Sequence, residues 1–363
     1  MRFLILGNPQ NRRVGLFTDA LAEAGEPAPE VVSWLDYLRD PRVLEDAGQG
    51  ERLLRIDSYG ENFDVERELL RRGGFKDALE LEERKGEVIA PATTHLGFQH
   101  VLRELDALLK KRPEWTLLNF PEEIDEFFDK RRTQRRFLAA GIPVPEFLEE
   151  VPSSADELLE AVRARGWKQA FVKPAMGSSA SGVLLVFVSP KGAAIRTSLE
   201  WDAPRWFNNL KLSHYRTPTD VRRALDFVLS QGAQVERAIP KAKLNDAYFD
   251  CRVLCIAGEP RFVVVRQNSH EITNLHLGGW RGDLEALKAA MPKKSWEAAM
   301  DSCRKVAGLY RSLQVGLDLM FEPNFEHRVI EANAFGDLLP NLTLDGLSVY
   351  RWEIKEALKR SAK

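Results

Sequence analysis

A chain of 363 residues, 44% hydrophobic and 29% charged, has the length for two or three domains and the apolar content of an ordinary globular protein. Its formal net charge of -2 gives no bulk electrostatic reason to expect a nucleic-acid or membrane-surface partner, and no segment approaches the ~18 apolar residues of a bilayer span. Three cysteines form neither a disulfide framework nor a spaced zinc pattern, and MRFLILGNP has too short an apolar core for a signal peptide, so a reduced, cytoplasmic setting is expected.

Residues 1–118 read as α/β. FLILG predicts a buried strand, RRVGLFTDALAEAG a helix closed by glycine, and VVSW a second strand. The segment 41–60 reads as irregular, and DVERELLRRGG and FQHVLRELDALLKKR as amphipathic helices. No GxGxxG follows the first strand, so a dinucleotide site there has no support. A helix is predicted over 122–140, stopped by Gly141 and followed by the stiff connector IPVP, a candidate domain boundary. Its basic run, Lys130-Arg131-Arg132 with Arg135-Arg136, reads on charge alone as a solvated face. Another helix is predicted over 153–165. AFVKPA and GVLLVFV then predict two strands joined by a soft loop, VRRALDFVLSQ a helix and AQVERAI a strand. The tryptophan- and amide-rich stretch TSLEWDAPRWFNNLKLSHYR resists assignment. Two hairpins follow, YFDCRVLCI with RFVVVRQ about AGEP, and GLDLMF with RVIEANAF about EPNFEH, separated by a helix over 284–312. Cys251 and Cys255, inside the first hairpin, read as small buried hydrophobes.

Chemistry concentrates in a few places. In FVKPAMGSSASGV, small residues let backbone approach a ligand and its N–H groups cradle phosphate, although a flexible hairpin turn explains the loop equally well. It is not a Walker A loop, because Val183 follows the final glycine and the lysine comes first. Lys173 sits in a buried-type strand, where an unpaired ammonium is expensive, so a partner is expected. In the last hairpin Glu331 and Asn333 share a strand face, and pairing about Asn324 and Phe325 puts Asp318 opposite Glu331. Two carboxylates and an amide oxygen at one spot suit Mg2+ with phosphates completing its shell; the bland alternative is a solvated acidic face. Asp250 and Arg252 share a face of the preceding hairpin, Arg266 lies on its return strand, and Asn274 and His276 precede two glycines. Cationic and amide groups of this kind suit phosphate or acyl-phosphate oxygens.

Taken in order, DKRRTQRRFLAAGIPVP, FVKPAMGSSASGV, QVERAIP, FDCRVLCIAGEPRFVVVR, TNLHLGG, GLDLM and VIEANAFGDLLP resemble the ATP-grasp superfamily, most closely the branch of glutathione synthetase, the ribosomal-protein glutamate ligase and peptide-maturing ligases. The resemblance covers about residues 119–345. It implies an α+β and α/β architecture: an α/β pre-grasp domain over 1–118, a first grasp half over 119–235 with a lid at 176–182, and a second half over 236–363. It implies ATP and Mg2+, carboxylate and amine substrates, and ligation through an acyl phosphate with release of ADP. By resemblance, Lys130 and Lys173 meet the nucleotide phosphates, and Gly177, Ser178 and Ser179 close over them. Glu236, Arg237 and Ile239 belong to the adenine-reading segment. Asp318, Glu331 and Asn333 hold magnesium, and Arg252, Arg266 and Asn274 serve the transferred phosphoryl group. Where the family carries an acidic ribose ligand this chain has Lys243, leaving Asp246 or Asp250 as substitutes. A kinase acting on an alcohol would share these metal and nucleotide groups, whereas a silent nucleotide-binding module is expected to have lost metal ligands or phosphate lysines, all of which are present here; the oligomeric state, a homodimer included, is left open.

Overall fold

A computed structural model describes residues 2–47, 50–176, 182–336 and 339–361. The N-terminal part is built from β1 (Arg2–Gly7), α1 (Arg12–Glu23), β2 (Glu30–Ser33), α2 (Trp34–Arg39), α3 (Arg42–Asp46), β3 (Arg52–Ile56), α4 (Phe63–Arg72), α5 (Pro91–Leu109) and β4 (Trp115–Leu117). Asn11 caps α1 by accepting from the Arg13 N–H, so the chain turns into helix directly after the first strand. The strands form a parallel sheet in the order β2-β1-β3-β4, covered by helices on both faces, which is why β1 is a continuous apolar run. The segment 41–60 is not irregular: it holds α3 and the central strand β3. Arg52 and Arg55 broke the apolar pattern there, yet Arg55 is buried, paired with Asp57 and Glu353.

The helix predicted over 122–140 is two helices, α6 (Pro121–Phe128) and α7 (Lys130–Ala139). Asp129 leaves helical geometry (φ -96, ψ 98) and its side chain caps α7 by accepting from the Arg131 N–H. The break hands the Lys130 N–H to Ala175 O at 3.1 Å, bringing α7 against the strand that carries Lys173. Then come α8 (Ala155–Ala164), β5 (Gln169–Pro174), β6 (Leu184–Ser189), β7 (Gly192–Asp202), β8 (Arg205–Tyr215), α9 (Pro218–Ser230) and β9 (Ala233–Arg237). They make an antiparallel sheet, β8-β7-β6-β5-β9. The stretch 195–215 is therefore regular, the β7–β8 hairpin. A register shift between Thr197 and Leu199 interrupts its alternation, which hid it.

The C-terminal part holds β10 (Lys243–Leu244), β11 (Ala247–Ile256), β12 (Glu259–Asn268), β13 (Trp280–Arg281), α10 (Leu284–Ala290), α11 (Lys293–Gly308), β14 (Gln314–Phe321), β15 (His327–Asn333), β16 (Thr343–Leu344), β17 (Leu347–Ser348) and α12 (Val349–Ser361). Its main sheet runs β13-β12-β11-β14-β15, with β10 on β11. The helix expected over 284–312 is split by Pro292, whose ring cannot continue a helix interior. Cys251, Cys255 and Cys303 are unpaired and buried. Among the described residues no helix is long and apolar enough to cross a membrane.

Residues from Leu148 to Val235 bury their own core, whereas the parallel sheet, α6, α7 and the C-terminal sheet share two continuous ones. The middle unit thus has an apolar core of its own. Packing is closest between α4 and α5: a Cβ on Gly97 would lie 1.9 Å from Leu69 O, and one on Gly73 2.0 Å from Thr93 O. Gly97→Ala is expected to destabilise the protein by about 1–3 kcal/mol, read as a lower urea midpoint, because backbone and not a flexible side chain must move.

Candidate active site

The last hairpin sets one wall. Asp318 on β14 pairs with Glu331 on β15, as the strand period predicts. Leu319 pairs with Val329, so Ile330 is an extra bulged residue. On the other side of β14, Arg252 of β11 is the register partner of Asp318, and Asp250 pairs with Arg266 of β12. One sheet face therefore carries Glu331, Asp318, Arg252, Asp250 and Arg266 in adjacent rows. Arg252 Nε lies 2.6 Å from Asp318 Oδ1, and Arg266 reaches both Asp250 Oδ1 (2.6 Å) and Asp318 Oδ1 (3.2 Å).

The facing wall comes from α7 and the middle sheet. Lys130, buried at the start of α7, puts Nζ 3.3 Å from Glu331 Oε1. Lys173 has the partner its burial required, and that partner is a protein group: it donates to Glu236 on the neighbouring strand β9. Gln134 of α7 donates Nε2 to the same carboxylate at 2.8 Å. The adjoining basic residues are surface groups: Arg131 turns back onto Asp129, Arg132 pairs with Asp125 and Arg136 with Glu126.

One cleft collects Lys130, Lys173, Glu236, Arg237, Ile239, Asp250, Arg252, Arg266, Asn274, Asp318, Glu331 and Asn333. Pro145, Phe171, Val183, Met320 and Ile330 give it apolar faces. Gly177, Ser178 and Ser179, and with them most of the 176–182 lid, lie outside the described residues, as does the side chain of His276. Of the two ribose candidates, Asp250 lines the cleft, while Asp246 is exposed in the turn between β10 and β11. Four lining or supporting residues escaped sequence reasoning: Lys241, Glu271, Thr273 and Gln134. Lys241 Nζ donates to Thr273 Oγ1 at 2.8 Å and lies 3.3 Å from Asp250 Oδ2. Glu271, in the loop after β12, pairs at 2.8 Å with Arg196 of β7. A lysine in a polar connector carries no signal that it will be buried, so only the fold reveals Lys241.

The charges are tightly coupled. Burial would raise the Asp250 carboxyl, but Arg266 and Lys241 outweigh it and hold it at about 2. Burial lowers the Lys241 ammonium, opposed by Asp250. Asp318 is raised, by burial first, with Asp250 and Glu331 adding like charge against Arg252 and Arg266. Glu331 is lowered, because Lys130, Lys173 and Arg252 together overcome its burial.

Among the described residues no three His, Cys, Asp or Glu side chains converge as a metal cluster. The oxygen set is two carboxylates and one amide, which suits a hard dication that completes its shell with phosphate. The residues fit such an ion: Asp318 Oδ1 is buried and accepts no hydrogen bond of good geometry despite its two arginine neighbours. Asn333 donates Nδ2 to Gly316 O at 3.4 Å, leaving its oxygen as the acceptor. A dication between Asp318 and Glu331 would also relieve their mutual repulsion.

No known protein-family description matches the sequence, and neither does any curated protein. Solved structures do match over nearly the whole chain. The ATP-grasp ligase PsnB, complexed with a minimal precursor, superposes with a TM-score of 0.56 at 13% identity, covering 99% of each chain. D-cycloserine synthetase DcsG gives 0.55 at 14% identity, covering 98% of this chain and 99% of that one. D-alanine–D-alanine ligase from Bacillus anthracis, complexed with ATP, gives 0.53 at 14% identity, covering 100% and 97%. The chain has the ATP-grasp fold with an N-terminal α/β domain.

Proposed function

We propose that the protein is an ATP-dependent carboxylate–amine ligase. One observation carries this reading: Asp318, Glu331 and Asn333 share a cleft with Lys130 and Lys173, drawn from the opposite wall. The folds that match belong to ligases, and among those proteins some were captured with ATP, with ADP and Mg, or with precursor peptides. Motif order further supports the glutathione synthetase-like branch. The separate core of residues from Leu148 to Val235 supports a distinct middle unit inside the proposed 119–235, while Ile124, Phe127, Phe137 and Ile142 belong to the core shared with the flanking parts.

A substrate carboxylate oxygen bonds to the γ-phosphorus of ATP as the β,γ-bridging bond breaks and ADP leaves. An amine nitrogen then bonds to the acyl carbon as phosphate departs, and the amine proton passes to solvent. Asp318, Glu331 and Asn333 would hold a magnesium ion, which supplies charge neutralisation on the phosphates. Lys130 and Lys173 bind phosphate oxygens, each already oriented by a carboxylate, Glu331 or Glu236. Arg252 and Arg266 are fixed by Asp318 and Asp250 and present charge to the transferring group without reorganising. The segment Glu236 to Ile239 with Phe171 and Met320 receives the base, and Asp250 with Lys241 meets the ribose side. The protein's share is positioning and charge compensation.

Panels of acids and amines with Mg-ATP test the reading. ADP release that needs both a carboxylate and an amine is expected. A phosphorylated alcohol formed without a carboxylate would make the protein a kinase, and absence of Mg-dependent nucleotide binding by calorimetry would make the site silent.

A further inference from the structure

Beside the nucleotide cleft a second cavity opens, between the loops of the parallel sheet and the surface of β12–β15. It shares Arg252, Arg266, Asn274, Glu331 and Asn333 with the first. Its far wall consists of Arg12 and Arg13 at the start of α1, Arg281 on β13, and Tyr59, Phe128 and Phe335. The two cavities differ in charge. Among the described residues, six basic and five acidic side chains line the nucleotide cleft, so it is nearly balanced. Among the described residues, five arginines line the second against Glu61 and Glu331.

The backbone register sharpens this imbalance. Arg266 and Arg281 are direct cross-strand partners on β12 and β13. Like charges placed opposite one another destabilise a strand pair unless an anion meets them. Arg266 is answered by Asp250 and Asp318. Arg281 donates to Pro340 O at 3.0 Å and Arg13 to Phe335 O at 2.7 Å. A neutral carbonyl orients a guanidinium without cancelling its charge, so both remain suited to an anion.

We propose, resting on the ligase reading above, that this cavity binds the acyl substrate and that the substrate is a short acid with two anionic ends. One carboxylate faces Arg252 and Arg266 and takes the phosphoryl group. The other anionic group, carboxylate or phosphate, is held by Arg12, Arg13 and Arg281, and the apolar spacer runs along Tyr59, Phe128 and Phe335. The carboxylate oxygen bonds to the γ-phosphorus as ADP leaves. A nitrogen nucleophile then bonds to the acyl carbon, phosphate leaves with the C–O electrons, and the nucleophile's proton goes to solvent.

Hydroxylamine serves as the nucleophile in the test, because it turns acyl phosphates into hydroxamates whatever the natural amine. The full chain with Mg-ATP is given succinate, glutarate and 3-phosphoglycerate, and the singly charged butyrate and valerate as matched controls. Hydroxamate and ADP are expected in equal amounts from a dianionic acid, with kcat/KM about tenfold or more above its control. Which dianions react tells carboxylate from phosphate as the second group. Arg12→Ala and Arg281→Ala should each raise KM for the acid about tenfold and leave KM for ATP little changed. Equal use of the singly charged acids, an unchanged KM in both variants, or no hydroxamate from any dianion despite Mg-dependent ATP binding would overturn the inference and leave the ligase reading in place. Absence of ATP binding by the unmodified protein would overturn both.

Discussion

Glu331→Ala is expected to lower Mg-dependent ATP turnover by a factor on the order of 10²–10³ in kcat, the loss typical when one preorganised charge-stabilising group is removed. Two functions go together in this variant. On the proposed reading Glu331 would supply an oxygen to the metal opposite Asp318, and it holds Lys130 at 3.3 Å. Lys173→Ala is the companion experiment. Loss of a charge-assisted contact should weaken Mg-ATP binding about ten- to a hundredfold by calorimetry. It also leaves Glu236, only 2% exposed, with Gln134 as its remaining side-chain partner, so the variant should melt earlier. Lys173→Ala combined with Glu236→Gln removes that buried charge. It should recover stability and not binding, which separates the proposed ligand-holding role of Lys173 from its structural one. Wild-type nucleotide affinity in both Glu331→Ala and the double variant would sink the assignment of this cleft.

The largest stability effect should come from a residue far from the cleft. Glu353 of α12 is 2% exposed and accepts from Arg55 of β3, itself 3% exposed. Burial works against the charge on Arg55, but Glu353 and Asp57 hold it protonated. The Phe17 and Tyr350 rings, with centroids 4.6 and 5.6 Å from Arg55 Cζ, complete the setting. Glu353→Ala removes the main counter-charge, leaves Asp57 at 3.4 Å, and should cost about 3 kcal/mol, measured by the urea midpoint. Glu353→Gln keeps an acceptor and should lose less. Equal stability of Glu353→Ala and the unmodified chain would show that α12 docks through apolar contacts alone.

Both predictions trace back to how far each residue could be read from the chain. The register of Asp318 against Glu331 was legible because it depends on a local hairpin and a period of two. So was β1, whose uniform apolarity marks a strand buried on both faces, whereas the pairing of Asp250 with Arg266 was not, because a bulge between Leu254 and Cys255 shifts that hairpin's register. The strand β3 was obscured by Arg52 and Arg55, since a buried charge looks like a surface charge until its partner is known. The β7–β8 hairpin was obscured by its bulge. The break at Asp129 looked like helix because Asp129 sits inside a continuous helical pattern, and its capping role appears only when the following N–H groups need an acceptor.

By itself the sequence determined most of the helices, the apolar strand β1, the two C-terminal hairpins, and which acidic and basic side chains share a strand face. These follow from propensity and periodicity, which act over a few residues. Only the tertiary structure decided what those side chains meet. Lys130 reaches Glu331 across the chain, Lys173 finds Glu236 on a neighbouring strand, Lys241 joins Asp250, and five arginines gather at a second cavity. Such pairings depend on how separate sheets pack, and apolar burial, which drives that packing, is non-directional and carries no local mark of which charges it will bring together.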